Sequence, residues 1–384
     1  MTTHEQHQSR GVGKRFAEQA VAGSVAARDE AARWDPELFR RMGGAGLLGA
    51  CLPVGVGGSG WSAFETSELL AGFGEGSGDA GLALSWSAHL GGCAVPLLRF
   101  GSPAQRACYL GSLGAGSQIG TLAHLEPEPA ATPVGIATRA VRSRSGWTLF
   151  GTKTWVANGT HADLFVVSAV TDVGGAGRGV STFLVPRKTR GVRLGRAIEP
   201  LGYRTAGFAE VVFDGCELPG DALLGTVGRG LEETLWLARR WERTLLYAPW
   251  VGVLRRLFAL SLEHVERARY GASTLKTSQL ARASLADSQI GLALSERMLR
   301  RSASLLDAPG APGDDLIAAG ALFLAQSTDR GVRAALSLHG LSGAAAHGIV
   351  ERSYRDAAML GILGVGQDVL RSVVAECLLR LPRH

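Results

Sequence analysis

The sequence predicts an α+β fold in which an antiparallel β domain lies between two helical regions. Apolar residues recur at helical spacing in the first third of the chain, for example at Phe39, Met42 and Leu47. The middle third alternates β-branched and polar residues, and long amphipathic patterns fill the last third. With 384 residues, 46% of them hydrophobic, the chain can form more than one packed core. We therefore expect a helical domain at 1–120, a β domain at 121–228 and a four-helix bundle at 229–384.

The first region has the pattern of several short helices separated by glycine and proline. Pro53–Gly60 predicts a turn between two of them. Residues 55–60 also fit the pattern GxGxxG, which lets a backbone approach a pyrophosphate. Because only a short apolar stretch precedes this pattern and no second βα unit follows, we interpret it as a turn and not as a nucleotide site.

The middle region has the short alternating segments of an antiparallel sheet. We predict strands at Trp147–Phe150, Leu164–Val170, Ser181–Val185 and Glu210–Phe213. The polar runs at 174–179 and 188–191 are expected to be hairpin loops, which keep neighbouring strands antiparallel.

Four long amphipathic stretches follow the β domain. They cover 231–268, 278–305, 316–338 and 350–381, with a loop rich in proline and glycine at 307–314. Pro249 lacks a backbone donor and should kink the first of these helices. Helical bundles commonly bury apolar surface against other subunits, so we expect a homo-oligomer, either a dimer or a tetramer.

Charge and hydropathy argue against two classes of partner. The formal net charge of +6 comes from dispersed arginines, so we expect no nucleic acid, and assign a few arginines to phosphates of a cofactor or of coenzyme A. No apolar run reaches the roughly 18 to 20 residues that cross a bilayer, and the polar start lacks the core of a signal peptide. We predict no membrane insertion and a cytoplasmic location.

The cysteines and the common catalytic motifs indicate no metal site. Five cysteines are scattered without CxxC spacing, and we interpret them as buried free thiols. No HExxH, GxSxG or paired metal-ligand motif is present.

A series of longer motifs, in order along the chain, carries a resemblance to a known family. They are Pro53–Gly60, Leu97–Gly101, Tyr109–Gly114, Glu126–Pro127, Gly151–Gly159, Leu201–Arg204, Val211–Asp214 and Tyr354–Ala357. These segments resemble the "P…GG.G", "LLRFG…YL..L..G", "TEP", "GTK.WITNG", "LG.R", "VVF" and "YRDA" signatures of acyl-CoA dehydrogenases. The resemblance covers nearly the whole chain and implies FAD as cofactor, with an acyl-CoA or an acyl-carrier protein as substrate.

In that family, a carboxylate removes the α-proton of an acyl thioester while a β-hydride passes to the flavin. The usual glutamate position, in the family's "YEGT" segment, carries Gly364 here. Members similar to isovaleryl-CoA dehydrogenase instead place the base before an arginine in "LER", which corresponds to Glu242 and Arg243. Glu242 is therefore the candidate base, or else an ordinary helix carboxylate paired with Arg239 or Arg243. The backbone N–H of Gly364 could still donate to the thioester carbonyl.

The resemblance also implies flavin contacts. Trp155 matches the indole that packs on the isoalloxazine ring, and is alternatively a core indole of the β domain. Arg267 matches an arginine that binds the pyrophosphate, and Tyr270 replaces the phenylalanine of the same "R.QFG" segment.

Several hydrogen-bonding side chains of the family are replaced. The positions concerned are Leu125, Ala157, Ala131, Ser337 and Gly366, where the family has Thr, Thr, Ser, Gln and Thr. At roughly 0.5 to 1.5 kcal/mol for each neutral hydrogen bond, the combined loss would weaken flavin binding by several orders of magnitude unless backbone and phosphate contacts compensate.

The substrate side of the site is expected to include Arg243, Ala131 and Arg204. The segment Glu126–Thr132 replaces the family's glycine-rich "EPGAGSD" loop, and its two prolines stiffen it. This difference indicates either an altered substrate entrance or a lost cofactor contact.

Three functions remain open at this point. The first is an acyl-thioester dehydrogenase with FAD and Glu242 as base. The second is a flavin-independent isomerase or decarboxylase in which Glu242 serves as acid or base. The third is a non-catalytic partner subunit that completes the site of a related chain.

Overall fold

The computed structural model describes residues 3–128, 136–172, 178–270, 273–308, 313–363 and 366–379. It confirms an N-terminal helical region, a middle β region and a C-terminal helical region. The first region contains α1 Thr3–Ala20, α2 Val25–Glu30, α3 Pro36–Gly44, α4 Ala63–Ser77, α5 Ala80–His89, α6 Val95–Phe100 and α7 Pro103–Gly114. A π turn, Leu90–Ala94, joins α5 to α6. The side chains of Ser62 and Ser102 begin α4 and α7 with reciprocal capping bonds, which fix where these helices start.

The GxGxxG match is a turn, as predicted. A single 3₁₀ turn occupies Val54–Val56, and Gly57 closes it with φ of 83°. That conformation favours glycine, which explains part of the glycine content without a nucleotide.

The middle region forms one eight-stranded sheet. Its strands are β1 Gly120–Ala123, β2 Arg139–Arg142, β3 Gly146–Val156, β4 Leu164–Asp172, β5 Arg178–Pro186, β6 Val192–Ala197, β7 Ala209–Pro219 and β8 Leu223–Leu224. They follow the order β6-β7-β3-β2-β4-β5-β8, and β1 pairs with β4. All four predicted strands lie within β3, β4, β5 and β7. Most pairs are antiparallel, but β1 and β2 each pair with β4 in parallel, which the prediction of a purely antiparallel sheet missed.

One predicted hairpin is wrong. Residues 188–191 connect β5 to β6, which do not pair and lie five positions apart in the sheet. In a flat sheet these strands would be about 24 Å apart, whereas the linking residues 187–191 span at most about 20 Å. The sheet therefore folds over on itself. Trp147 on β3 contacts Phe183 on β5, with ring centroids 5.3 Å apart.

The other predicted hairpin falls largely outside the described residues, since 173–177 are not described. Its flanking strands, β4 and β5, are antiparallel neighbours in register from Leu164 and Pro186 to Asp172 and Arg178.

The C-terminal region has more helices than the four predicted. They are α8 Trp236–Leu245, α9 Ala248–Arg267, α10 Gln279–Asp307, α11 Asp314–His339, α12 Ile349–Leu360 and α13 Gly366–Leu379. A short ladder of β9 Arg269–Tyr270 and β10 Ser273–Thr274 lies between α9 and α10.

Two of the predicted long helices are divided. A second π turn, Leu231–Leu235, precedes α8, and the chain breaks before α9, where Pro249 occupies the first turn. The last predicted helix becomes α12 and α13 because glycines interrupt it, and Gly366 has φ of 70°.

Two helical stretches are long and apolar enough to cross a membrane. They are Ala80–Phe100 and Leu231–Arg267, and 89% and 67% of their apolar windows are buried inside the fold. Both therefore supply core side chains such as Trp86 and Trp250. The cysteines carry free thiols, of which Cys93 and Cys216 are buried as expected and Cys108 is exposed.

Candidate functional site

The end of β1, the end of β3 and helix α8 meet at one place. The backbone N–H of Thr154 donates to the carbonyl of Leu125, at 2.9 Å. The neighbouring His124 places its Nε2 3.2 Å from a guanidinium nitrogen of Arg239 on α8. The first π turn packs closely against α8. A Cβ at Gly91 in this turn would lie only 3.1 Å from the Cβ of Trp241. π turns of this kind are frequent at functional sites.

Glu242 projects from α8 into this meeting point. Among the described residues, its carboxylate has no hydrogen bond and no ion pair within 4 Å, so the interpretation as a paired helix carboxylate is not supported. Burial raises its pKa, and the charges of Arg239 and Arg243 oppose that shift. Its oxygens are not fully enclosed, because they are absent from the buried unpartnered atoms of the described chain. A partnerless carboxylate with a raised pKa is suited to general base catalysis.

Two arginines flank Glu242 on the same helix. Burial lowers the pKa of Arg239, and burial together with Arg239 lowers the pKa of Arg243. The Nε of Arg243 is buried without a hydrogen-bond partner in the described part of the chain. Arg239 donates to His124, because a guanidinium can only donate.

His124 is neutral in this setting. Burial lowers its pKa to about 3, helped by the charges of Arg239 and Lys153. With Nε2 accepting from Arg239, Nδ1 carries the proton and donates to the hydroxyl of Ser168, at 2.8 Å. The ring therefore holds Arg239 in place without neutralising its charge.

Lys153 and Glu126 fix the loop that carries His124 and Leu125. The Lys153 ammonium donates to Glu126 at 2.7 Å, to the His124 carbonyl at 3.1 Å and to Ser168 at 3.2 Å. Burial lowers the pKa of Lys153 to about 8, against the opposing effect of Glu126. Because one buried cation ties three groups together, the loop after β1 has a defined position beside α8.

Tyr247 lies just beyond the end of α8. Its ring is buried, and its hydroxyl has no hydrogen bond to any described residue. Burial raises its pKa, and the charge of Glu242 adds to the shift. The Tyr247 hydroxyl is therefore near enough to Glu242 for that charge to act on its pKa.

Trp155 presents an uncovered aromatic face next to this cluster. It lies in a bulge of β3, where the pairing with β7 shifts between Lys153 and Val156, and its φ is 52°. The indole is 40% exposed and packs edge-on against Phe208, so it is not a core indole. Leu125 beside it is 47% exposed. Exposed apolar side chains next to a partnerless carboxylate fit a flat heteroaromatic ring such as that of a flavin.

Ala157 follows the end of β3, two residues after Trp155. It is 9% exposed, and its carbonyl accepts from the hydroxyl of Thr121 at 2.6 Å. Alanine supplies no side-chain hydroxyl at this position. The hydrogen bond from Thr121 on β1 instead fixes the backbone of Ala157.

A second group of predicted flavin residues lies elsewhere. Arg267 ends α9, is 78% exposed and pairs with Glu263, and Ser337 is exposed near the end of α11. These helix ends meet where His264 stacks on His339, with ring centroids 4.4 Å apart. Because the 20 residues of α9 extend about 28 Å, this end is far from α8. One chain does not bring Arg267 and Trp155 together.

Other predicted site residues are not tested or take different roles. Gly364, Ala131 and the side chain of Tyr270 lie outside the described residues. Gly366 begins α13 with its backbone in the left-handed region. A threonine would be strained in that conformation, which explains why this position carries glycine and lacks the family's threonine hydroxyl.

Arg204 makes contacts within the protein. Its guanidinium donates to the carbonyls of Asp29 and Glu30 at the end of α2 and pairs with Glu199. These contacts fasten a loop to a helix end. Its role as a substrate contact stays a prediction.

No sequence pattern indicated His124 or Tyr247 as residues of the site. The position of Arg239, three residues before Glu242, was visible from helical spacing. Nothing in the sequence indicated that His124 faces α8, because that contact depends on how the sheet packs on the helix. Tyr247 follows a helix break that hydrophobic periodicity does not show.

Comparison with known proteins gives consistent matches along the chain. Residues 3–117, 121–216 and 228–379 match the family descriptions "Acyl-CoA dehydrogenase" for the N-terminal, middle and C-terminal domains. A probable acyl-CoA dehydrogenase, YngJ of Bacillus subtilis, is 27% identical over 98% of this chain and 99% of its own length. An L-prolyl-[peptidyl-carrier protein] dehydrogenase of Pseudomonas fluorescens is 29% identical over 87% of this chain and 88% of its own. The solved FAD complex of PigA has a TM-score of 0.92 and 26% identity, covering 98% of both chains.

Proposed function

This chain belongs to the acyl-CoA dehydrogenase family, and from that premise we propose that it oxidises an acyl thioester at its α and β carbons with Glu242 as the base. The observation that carries the proposal is the Glu242 carboxylate, which is half-buried, has a pKa raised by burial, and makes no hydrogen bond or ion pair among the described residues. A carboxylate in this state accepts a proton more readily than one already held by a salt bridge.

The proposed step moves a proton and a hydride in opposite directions. Glu242 would take the α-proton, and FAD, when bound, would supply the acceptor for the β-hydride. Trp155 and Leu125 would cover the flavin ring and exclude water. The backbone N–H of Gly364 remains the proposed donor to the thioester carbonyl, where negative charge develops as the α-proton leaves.

The thiol carrier is proposed to be either coenzyme A or a carrier protein. Relatives named for each type of substrate match this chain over most of its length. Presenting the same acyl group on both carriers and comparing kcat/KM would decide between them.

We also propose that the flavin site is completed by a second copy of the chain. Arg267 and Ser337 are exposed at the far end of the bundle from Trp155. In a homodimer or homotetramer, Arg267 of one copy could bind the pyrophosphate of a flavin whose ring lies against Trp155 and Leu125 of another copy. We propose a cytoplasmic location, because both apolar helical stretches that are long enough to cross a membrane are mostly buried inside the fold.

The test uses the purified, FAD-loaded protein. Glu242→Gln should retain the yellow flavin spectrum but reduce the flavin at least 100-fold more slowly with an acyl thioester, because general bases contribute about 10²–10⁴-fold. Anaerobic stopped-flow absorbance near the flavin band measures this rate.

Glu217→Gln, an exposed carboxylate on β7, is the matched control and should react at the wild-type rate. Equal rates in Glu242→Gln and wild type would remove the base assignment. A colourless protein that does not take up FAD, yet still turns over a thioester, would instead support the flavin-independent isomerase or decarboxylase.

A further inference from the structure

We propose that strand β6, together with the turn before it, is the docking surface for the acidic face of a carrier-protein domain that presents the acyl thioester. This inference rests on the proposed function and names the partner that brings its substrate. The juxtaposition that carries it is a run of exposed cations on an edge strand whose end lies beside Trp155.

The segment 187–198 carries charge of one sign only. It contains no acidic residue, although the whole chain has 34 acidic residues against 40 basic ones. Its five cations are Arg187, Lys188, Arg190, Arg193 and Arg196. Charged side chains commonly protect an edge strand from pairing with another chain, but charges of either sign serve that purpose. The uniform positive charge therefore indicates a partner surface of opposite charge.

Three of these cations have no acidic partner. The side chains of Lys188, Arg190 and Arg196 are exposed and form no ion pair with a described residue. Arg193 differs from them, because this exposed arginine pairs with Asp214 of β7 at 2.9 Å. We therefore define the β6 cations as the three without a partner.

One further acid lies close to β6. The carboxylate of Glu210 on β7 lies over Gly195, where an added Cβ would be 3.2 Å from its Oε2. Glu210 forms no ion pair with the neighbouring Arg196 among the described residues. Against the five cations of the segment, Glu210 and Asp214 leave three positive charges in excess.

The shape of β6 fits a protein and not a small molecule. The strand pairs only with β7 among the described strands, and residues 193–197 are all exposed. Its six residues extend over about 17 Å. Leu194 adds an apolar contact that is 37% exposed. Sites for small molecules are concave and enclose most of the ligand, so an open row of charges fits a carrier protein better than the phosphates of coenzyme A.

The end of β6 lies close to the proposed flavin site. Ala197 of β6 pairs with Ala209 of β7. Ala209 in turn pairs with Val156, the residue after Trp155. Two strand spacings correspond to about 10 Å. The ring of Phe208, which precedes Ala209, packs on Trp155 with ring centroids 5.5 Å apart. A carrier protein bound along β6 would therefore hold its thioester arm next to Trp155.

The experiment presents the same acyl groups on three carriers. Butyryl, isovaleryl and L-prolyl groups are attached to pantetheine, to coenzyme A and to a phosphopantetheinylated peptidyl-carrier domain with an acidic isoelectric point. Anaerobic stopped-flow absorbance follows flavin reduction in the wild-type holoenzyme. For at least one acyl group, we expect the second-order rate constant on the carrier domain to exceed that on pantetheine at least 10-fold. Raising the ionic strength from about 0.02 to 0.2 M should remove most of this difference, because salt screens exposed charges.

A triple variant then tests the β6 cations. Lys188→Gln, Arg190→Gln and Arg196→Gln together should lower the rate constant for the carrier domain at least 10-fold at low ionic strength. The rate constants for pantetheine and for coenzyme A should stay within twofold of wild type. The reduction rate at saturating carrier domain should also be unchanged, because exposed charges act on association and not on the chemical step.

The control removes the same charge elsewhere on the β region. Arg139, Arg142 and Arg144 are exposed on β2 and on the turn that follows it. Arg142 is opposite Trp147 of β3, and that position is about 26 Å along the strand from Trp155. The triple glutamine variant of these arginines should react as wild type on all three carriers.

The outcomes separate this inference from the proposed function. If the carrier domain reacts no faster than pantetheine, or keeps its rate constant in the β6 variant, the docking surface is wrong and the dehydrogenase proposal stands. An equal loss on coenzyme A would assign the β6 cations to nucleotide phosphates and also overturn the inference. An equal loss on pantetheine overturns it as well, since the variant would then act on the fold or the flavin. If no thioester reduces the flavin on any carrier, the proposed function fails and this inference fails with it.

Discussion

At the scale of residues, the environment of Glu242 is set by opposing effects. Burial raises its pKa, while the charges of Arg239 and Arg243 lower it. The net shift is upward, so burial is the larger effect. The two arginines therefore limit how far burial raises the pKa of the base.

This balance predicts the pH dependence of flavin reduction. The base works when ionised, so the rate should fall as pH decreases through a pKa above 4.5, the ordinary value for glutamate. Removing a positive charge in Arg239→Gln should move this acidic limb to higher pH. The measurement is the reduction rate with pentanoyl thioester between pH 5 and 9. The control Arg193→Gln should leave the acidic limb at the wild-type pH. If Arg239→Gln also leaves it there, Arg239 does not act on the pKa of the base.

At the scale of elements, the segments 201–204 and 354–357, separate motifs in the sequence, contact each other in space. Asp356 on α12 accepts a hydrogen bond from the backbone N–H of Tyr203, at 2.5 Å. Gly202 packs so closely on α12 that a Cβ there would lie 2.5 Å from the carbonyl oxygen of Arg355. These contacts fasten the β region to the last helices, which supports the surface on which the site is built.

Asp356 makes this contact dependent on pH. Burial raises its pKa from 3.8 to about 7, with the backbone bond from Tyr203 opposing the shift. The folded state thus prefers the protonated form, and stability is lost as pH rises from about 4 to 7.

Asp356→Asn should remove that loss, because asparagine keeps an acceptor for Tyr203 and does not ionise. Relative to wild type, the free energy of unfolding of the variant should rise by about 3 kcal/mol between pH 4.5 and 7.5. Urea denaturation at several pH values measures it. Ser304→Ala, on the exposed side of α10, removes no ionisable group and should show no such dependence. A constant difference between wild type and Asp356→Asn would contradict the shift.

At the scale of the whole molecule, the C-terminal helices leave apolar surface uncovered. A groove of about 840 Å³ lies between α10 and α11. Its rim on α10 includes Leu280, Ile290 and Leu294, which are 84%, 58% and 44% exposed. A contiguous apolar surface of this kind is typical of an interface between subunits.

We therefore predict that the protein is a homo-oligomer held partly by α10. The double variant Ile290→Asp, Leu294→Asp should have a lower molecular mass than wild type, because charges would be buried in the interface. Light scattering after size exclusion measures it. Val141→Asp, on exposed strand β2, should leave the mass unchanged. A wild-type monomer would rule out the proposed interface and the shared flavin site.

The sequence by itself determined the order of helical and β regions, the strands β3, β4, β5 and β7, and the candidate base. These features depend on local periodicity and on short sequence motifs, so predicting them requires no knowledge of distant contacts. The kink at Pro249 was predicted for the same reason, because proline acts on its own helix.

Only the tertiary structure decided which residues share a site. Folding of the sheet showed that 188–191 is not a hairpin, and packing on α2 gave Arg204 its contacts with the carbonyls of Asp29 and Glu30. Packing of the β1 loop on α8 brought His124 to Arg239 and left Glu242 without a partner. Such contacts join residues more than a hundred positions apart, and burial, which sets the pKa of Glu242, is a property of the packed molecule and not of any local pattern.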